Sequence, residues 1–183
     1  MIFLMLFLTS VFVALGTGVL AAWSDVKGMI IPNRLSLIVF VAFFPAWAAA
    51  YGAGGGVFAP FLSHVMAFGL VLAMTMLLFF LRLFGGGDAK LASAYALWMG
   101  LSGLIPFLVN MTVFGGLVAL FSFIIKKTRP FKKVSETSWI GRLQAGESKV
   151  AYGVPIVMAA FFSFYSKDYL SFHELVKFLS TDS

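Results

Sequence analysis

Asp25 and Asp88 are the two side chains whose types and positions best fit shared chemistry. The chain carries seven acidic residues. Asp168, Glu174 and Asp182 lie near the carboxy terminus, and Glu136 and Glu147 lie in a segment rich in Lys and Arg. Asp25 and Asp88 instead sit where long apolar runs end or begin. An ionisable group at membrane depth is costly, so it usually faces a bundle interior and carries a function. Two carboxylates at close range share one proton, because both cannot ionise cheaply. One can then act as general base on a water while the other, protonated, polarises a carbonyl. The pair titrates as a unit, so the residue types alone do not divide the roles between them. Simpler roles also fit the same positions. Asp25 could be a solvated neighbour of Lys27, and Asp88 could cap the free backbone donors of a following helix.

The elements that must position these acids are membrane helices. Hydrophobic residues make up 61% of the chain and charged residues 11%. A soluble domain carries roughly 25% charged residues on its surface. A bilayer core about 30 Å thick needs roughly 20 apolar residues per helix. Six spans are expected, near residues 3–22, 35–51, 61–83, two within the apolar stretch 91–125, and 150–165. Pro106, shortly after Gly103, is the expected division of the long stretch, since proline cannot donate to an upstream carbonyl. The first span lacks the basic start and short apolar core of a secretory signal, and is expected to be a retained helix. The fold class is thus an all-α polytopic bundle, with a membrane domain over residues 1–166. In the tail, 167–183, Phe172, Leu175, Val176 and Leu179 repeat at helical spacing, and Ser171 with Glu174 has capping-box form. An amphipathic helix on the outer membrane surface fits there, and a frayed polar tail fits equally.

The basic residues set an orientation. With the amino terminus outside, the inside segments hold Lys27, Arg34, Arg82, Lys90, Lys126, Lys127, Arg129, Lys132, Lys133, Arg142 and Lys149. Only Lys167 and Lys177 fall outside, so 11 of 13 basic residues are inside, as the positive-inside rule requires. The net charge of +6 therefore reads as a topology signal, and no nucleic-acid partner is expected. Asp25 and Asp88 both fall on the inside face. The chain has no cysteine, and its two histidines, His64 and His173, are far apart, so neither a metal site nor a cofactor is expected.

Local motifs surround both acids. Asp25 opens Asp-Val-Lys-Gly-Met-Ile-Ile-Pro32-Asn33, and Asp88 closes Gly85-Gly86-Gly87-Asp88, with Lys90 two positions on. Glycines allow close backbone approach and positive φ. Here they are expected to open room for an extended peptide beside the carboxylate. A phosphate-binding loop is the other use of such glycines, but the Lys-Ser or Lys-Thr ending is missing and no strand precedes the run.

At these residues the sequence resembles the type IV prepilin peptidases, members of the Gly-x-Gly-Asp membrane aspartyl proteases. Asp25 with Ile31-Pro32-Asn33 matches the first family motif, and Gly85, Gly87, Asp88 and Lys90 match the second. Tyr152-Gly153-Val154-Pro155 is similar to the family's closing helix, with Ala151 where a proline is common. Larger members carry a cysteine-rich zinc region and a methyltransferase activity, for which this chain has neither cysteines nor room. It is closer to the short, protease-only branch of Flp-type (tight-adherence) pili, although the loop 126–149 is long for that branch. The Pro-Ala-Leu motif of the presenilin-like branch does not occur.

The resemblance implies an aspartyl endopeptidase in a bacterial inner membrane, cutting a pilin precursor at the cytoplasmic face with activated water. Asp25 and Asp88 would be catalytic. Gly85, Gly87 and Lys90 would contact substrate, and Pro32 and Asn33 would fix the entry to the second helix. Two other classes fit a polytopic chain with two acids. A proton-coupled transporter would show repeats and midplane acids, which are not seen. A non-catalytic pilus or secretion assembly protein would share the fold and not the chemistry.

Overall fold

The computed structural model describes residues 1–54, 57–131, 135, 138–146, 150–167 and 169. The amphipathic helix considered for the tail lies outside these residues, and of the tail only Lys167 and Tyr169 are described. Among the described residues all regular structure is helical. The elements are α1 (Ile2–Gly28), α2 (Asn33–Gly52), α3 (Phe61–Phe80), α4 (Gly86–Thr128), α5 (Trp139–Gln144) and α6 (Gly153–Ser166). Large apolar side chains such as Phe12, Leu62, Phe80, Ile105 and Phe123 are more than 60% exposed on the bundle's outer faces. Such a belt would be unfavourable in water and matches a lipid-facing surface. The protein is a multi-pass helical membrane protein.

Four helices, α1 to α4, are long and apolar enough to cross a bilayer, against the six spans expected. The difference lies in α4 and α6. The last apolar helix, α6, has only 14 residues. The 43 residues of α4 would reach roughly 65 Å as one rod. They do not form one rod, because Gly100 interrupts the helix at φ 60°, ψ 178°. That backbone conformation is essentially restricted to glycine. Pro106, the expected division, instead lies inside the second limb. A proline removes one hydrogen bond and kinks a helix, whereas this glycine turns the chain around.

The reversal follows from the contacts at each end. The start of the first limb, at Gly86, lies against Phe79 near the end of α3, while Gly100 lies against Ser63 and His64 at the start of α3. Farther on, Gly103 meets Lys167 beyond the end of α6, and Gly115 meets Tyr152 at its start. Both limbs therefore pack antiparallel to a neighbour, and the chain doubles back at Gly100. The first limb is the centre of the bundle, with every residue from Leu91 to Gly100 buried. It is pegged on three sides. The Tyr95 hydroxyl donates to the Ala14 carbonyl of α1 (2.8 Å), and the Trp98 indole donates to the Val39 carbonyl of α2 (3.0 Å). The Trp98 ring also packs on Phe164 of α6 at 5.1 Å between centroids.

A helix break inside a membrane protein frees backbone groups that have no water to bond. Here side chains from elsewhere take them up. The Leu101 amide donates to Ser63 Oγ (3.0 Å), and the Leu97 carbonyl pairs with His64 Nδ1 at 2.6 Å. Because a carbonyl only accepts, this contact puts the His64 proton on Nδ1. The Tyr169 hydroxyl donates to the Trp98 carbonyl at 2.6 Å. His64 is fully buried against Phe43 and Phe58, so its loss would strand the carbonyl. His64→Leu should therefore lower stability by about 1–3 kcal/mol, the usual cost of a buried unpaired group. Thermal unfolding in detergent reads this directly. An unchanged midpoint would mean that the break does not depend on this histidine.

Candidate active site

Asp25 lies in the last turn of α1, which runs six residues beyond the expected end of the first span. The residue expected to follow the helix is thus part of it, and it is 5% exposed. The turn that carries it is held at its carboxy-terminal carbonyls. Met29, in the left-handed conformation (φ 53°), donates its amide to the Asp25 carbonyl at 2.8 Å. The Arg142 guanidinium, from α5, donates to the Lys27 carbonyl (3.1 Å) and reaches that of Val26 (3.5 Å). A cation at this end also complements the helix dipole. Sequence reading placed Arg142 only among the topology-setting charges.

Asp88 lies in the first turn of α4, half-buried, with Gly85 as the N-cap. It is the third helical residue, not the cap itself, and its carboxylate turns back to the Gly85 amide. A carboxylate at this position satisfies a free donor and sits at the positive end of the helix dipole. A Cβ on Gly85 would fall on Asp88 Oδ2, so the glycine keeps the space the carboxylate uses. Gly87 has a different neighbour. Its missing side chain faces Ile31, with Cβ at 3.0 Å and carbonyl oxygen at 3.2 Å from the position a Cβ would take. Neither Gly85 nor Gly87 has positive φ, so their expected conformational role does not hold and their use is close approach.

Ile31 is the link between the two motifs. It is buried, it touches Gly87 of α4, and its Cδ1 lies at 3.1 Å from the Cβ position of Gly153 at the start of α6. Pro32, in extended conformation, is the N-cap of α2 and Asn33 its first residue, as expected for the entry to that helix. Asn33 does more than start the helix, because its Oδ1 accepts from Lys90 Nζ at 2.9 Å. This exposed bond ties the first motif to the second, so Lys90 is occupied by the protein itself.

The start of α6 completes the site. The Gly153 amide donates to Asp25 Oδ2 at 2.7 Å, and a Cβ there would lie 3.0 Å from the same oxygen. Tyr152, packed on Phe84 at 5.2 Å, lies within electrostatic range of Asp88. Sequence reading used Tyr152 and Gly153 only as similarity to a closing helix and did not count them as site residues. Nothing in a Tyr-Gly dipeptide points to a carboxylate 128 positions away. Asp25 and Asp88 themselves are near enough to interact electrostatically. The three helix ends thus bring two carboxylates, a phenol and a committed backbone donor to one end of the bundle. Among the described residues, no three His, Cys, Asp or Glu side chains come together as a metal centre would require.

The fold and this site define a class: a polytopic helical membrane protein with two interacting acids at one end of the bundle. The family model for the type IV leader peptidase family matches residues 12–120, which span Asp25, both glycine-bearing turns and Asp88. The chain belongs to that family, and it is a protease of the type IV leader peptidase kind. No curated protein and no solved structure matches it significantly.

Proposed function

We propose that this protein is a prepilin leader peptidase, an aspartyl endopeptidase whose dyad is Asp25 and Asp88. The observation that carries the reading is that these two carboxylates lie within electrostatic range of each other at one end of the bundle, each anchored by a backbone amide. One carboxylate accepts a proton from water as the water oxygen attacks the scissile carbonyl carbon. The other, protonated, donates to the carbonyl oxygen. Collapse of the tetrahedral adduct breaks the C–N bond, and the proton passes to the leaving amine. Tyr152 lies within electrostatic range of Asp88, with its hydroxyl against Gly115 of α4. The bound peptide must be extended there, because a helical carbonyl is already hydrogen-bonded.

The substrate is a pilin precursor with a short leader and an apolar helix after the cut. The membrane is a bacterial inner membrane, with the dyad facing the cytoplasm, and residues 1–166 form the peptidase domain. The basic side chains support this orientation. Lys27, Arg34, Arg82, Lys90 and Arg142 all belong to the end of the bundle that carries the acids, while Lys167 lies at the other, bonded to Ser102 at 2.7 Å. The Flp-type branch is favoured by the chain's lack of cysteine.

The test is direct. Purified protein in detergent, incubated with a prepilin, should release the leader and leave one new amino terminus, read by mass spectrometry. Addition of EDTA should leave the rate unchanged. Absence of cleavage would overturn the peptidase reading, and chelator-sensitive cleavage restored by a divalent ion would overturn the metal-free mechanism. Reporter fusions at Gly54 and Ser135 should report outside and inside respectively. The reverse pattern would put the dyad on the wrong side for a cytoplasmic leader.

A further inference from the structure

A groove of about 540 Å³ lies between α2, α3 and α4, away from the acids. Its walls include Leu37, Phe40, Phe68 and Leu72, and its polar end carries Arg34, Lys90 and Ser36. On α4 it uses Lys90, Ser93 and Ala94. Lys90 is two residues from Asp88, roughly 200° around the helix. The groove therefore opens on the opposite side of α4 from the dyad, and a peptide lying in it would not meet both acids. Two features at its polar end call for an anion. Arg34 and Lys90 flank it, and the first turn of α2 has no acidic residue and no side-chain cap, leaving the positive end of the helix dipole open. Independently, Ser36 is among the residues of the groove wall, and its buried Oγ has no hydrogen-bond partner. A buried hydroxyl without a partner is costly, and turning the Ser36 side chain toward the groove would let a ligand oxygen satisfy it.

We infer that this groove is a binding site for an anionic phospholipid. The phosphate lies between Arg34 and Lys90, within reach of Ser36, and an acyl chain runs along Leu37, Phe40, Phe68 and Leu72. The charge and the apolar wall together select a lipid. Basic pockets between membrane helices bind anionic headgroups in this way. The site also reaches the candidate active site through Lys90. A phosphate there would compete with Asn33 for the Lys90 ammonium, whose bond joins the two acid-bearing motifs.

Native mass spectrometry of the full chain, with phosphatidylglycerol or phosphatidylcholine of identical acyl chains, tests the site. Wild type should retain phosphatidylglycerol over phosphatidylcholine. Arg34→Gln should weaken that retention about fivefold, the effect of one basic side chain at an anionic surface. Leu72→Trp, which fills the apolar end, should lower retention of both lipids. Equal retention of the two lipids by wild type would mean ordinary annular contact and overturn the proposal. So would unchanged retention by Arg34→Gln, or a photo-crosslinker at Leu72 that captures prepilin or a second copy of the chain in place of lipid. None of these readouts depends on cleavage, so failure of the lipid site and failure of the peptidase reading are separable.

Discussion

Asp25→Asn and Asp88→Asn are each expected to abolish prepilin cleavage, with a fall of at least roughly 100-fold, the lower range for losing a general acid or base. Both changes keep the side-chain shape. An asparagine at position 25 still offers a carbonyl oxygen to the Gly153 amide, and one at position 88 still offers it to Gly85. The anchoring contacts that hold each turn therefore survive, and the protein should insert and accumulate normally. What is lost is the carboxylate's ability to take or give a proton. If the pair works as the proposed dyad, the double variant should be no worse than the more damaged single variant. Blotting for processed and unprocessed prepilin, beside the amount of enzyme in the membrane, reads both quantities. A purified single variant that cuts at near wild-type rate would remove the dyad from the mechanism.

The second large effect is expected at a residue with no chemistry of its own. Gly153→Val should cut activity by about 100-fold, the scale of a misplacement near 1 Å at a reacting group. The added Cβ would lie 3.0 Å from Asp25 Oδ2, 3.1 Å from Asp25 Cβ and 3.1 Å from Ile31 Cδ1. These neighbours are buried, so the strain must move either the carboxylate or the start of α6. Both outcomes break the 2.7 Å bond from the Gly153 amide. Gly153→Ala should fall between wild type and Val, since it adds the Cβ without the branches. Gly116→Val is the control, because nothing lies within 4 Å of its Cβ position. Normal cleavage by a folded Gly153→Val protein would separate α6 from the active site.

Much of the architecture was legible from composition. Apolar runs of about 20 residues and few charges select membrane helices, and the runs at 35–51 and 150–165 lie close to α2 and α6. The site was legible as two motifs, since the acids interrupt apolar sequence and glycines stand beside one of them. The end of α1 lies beyond the expected one, because Ser24, Asp25 and Lys27 are polar and hydropathy stops at polar residues. The helix continues there because its last carbonyls find Met29 and Arg142, and Arg142 is more than 110 residues away. The division of α4 was placed at Pro106 for a similar reason. Proline announces itself in sequence, while the turning glycine at position 100 is one of 18 and carries no local mark.

By itself, then, the sequence determined the solvent, the helical class and the charge asymmetry, and it singled out the two acids as candidates, because each depends on residue type and short-range order. Only the tertiary structure decided which groups surround those acids. Ile31 between Gly87 and Gly153, the Gly153 amide on Asp25, Tyr152 against Gly115 and the Lys90–Asn33 bond all join segments distant along the chain. Such contacts arise from close packing, where the absence of a side chain at one helix end makes room for a group from another. That complementarity is a property of paired surfaces in three dimensions, and no single stretch of residues contains it.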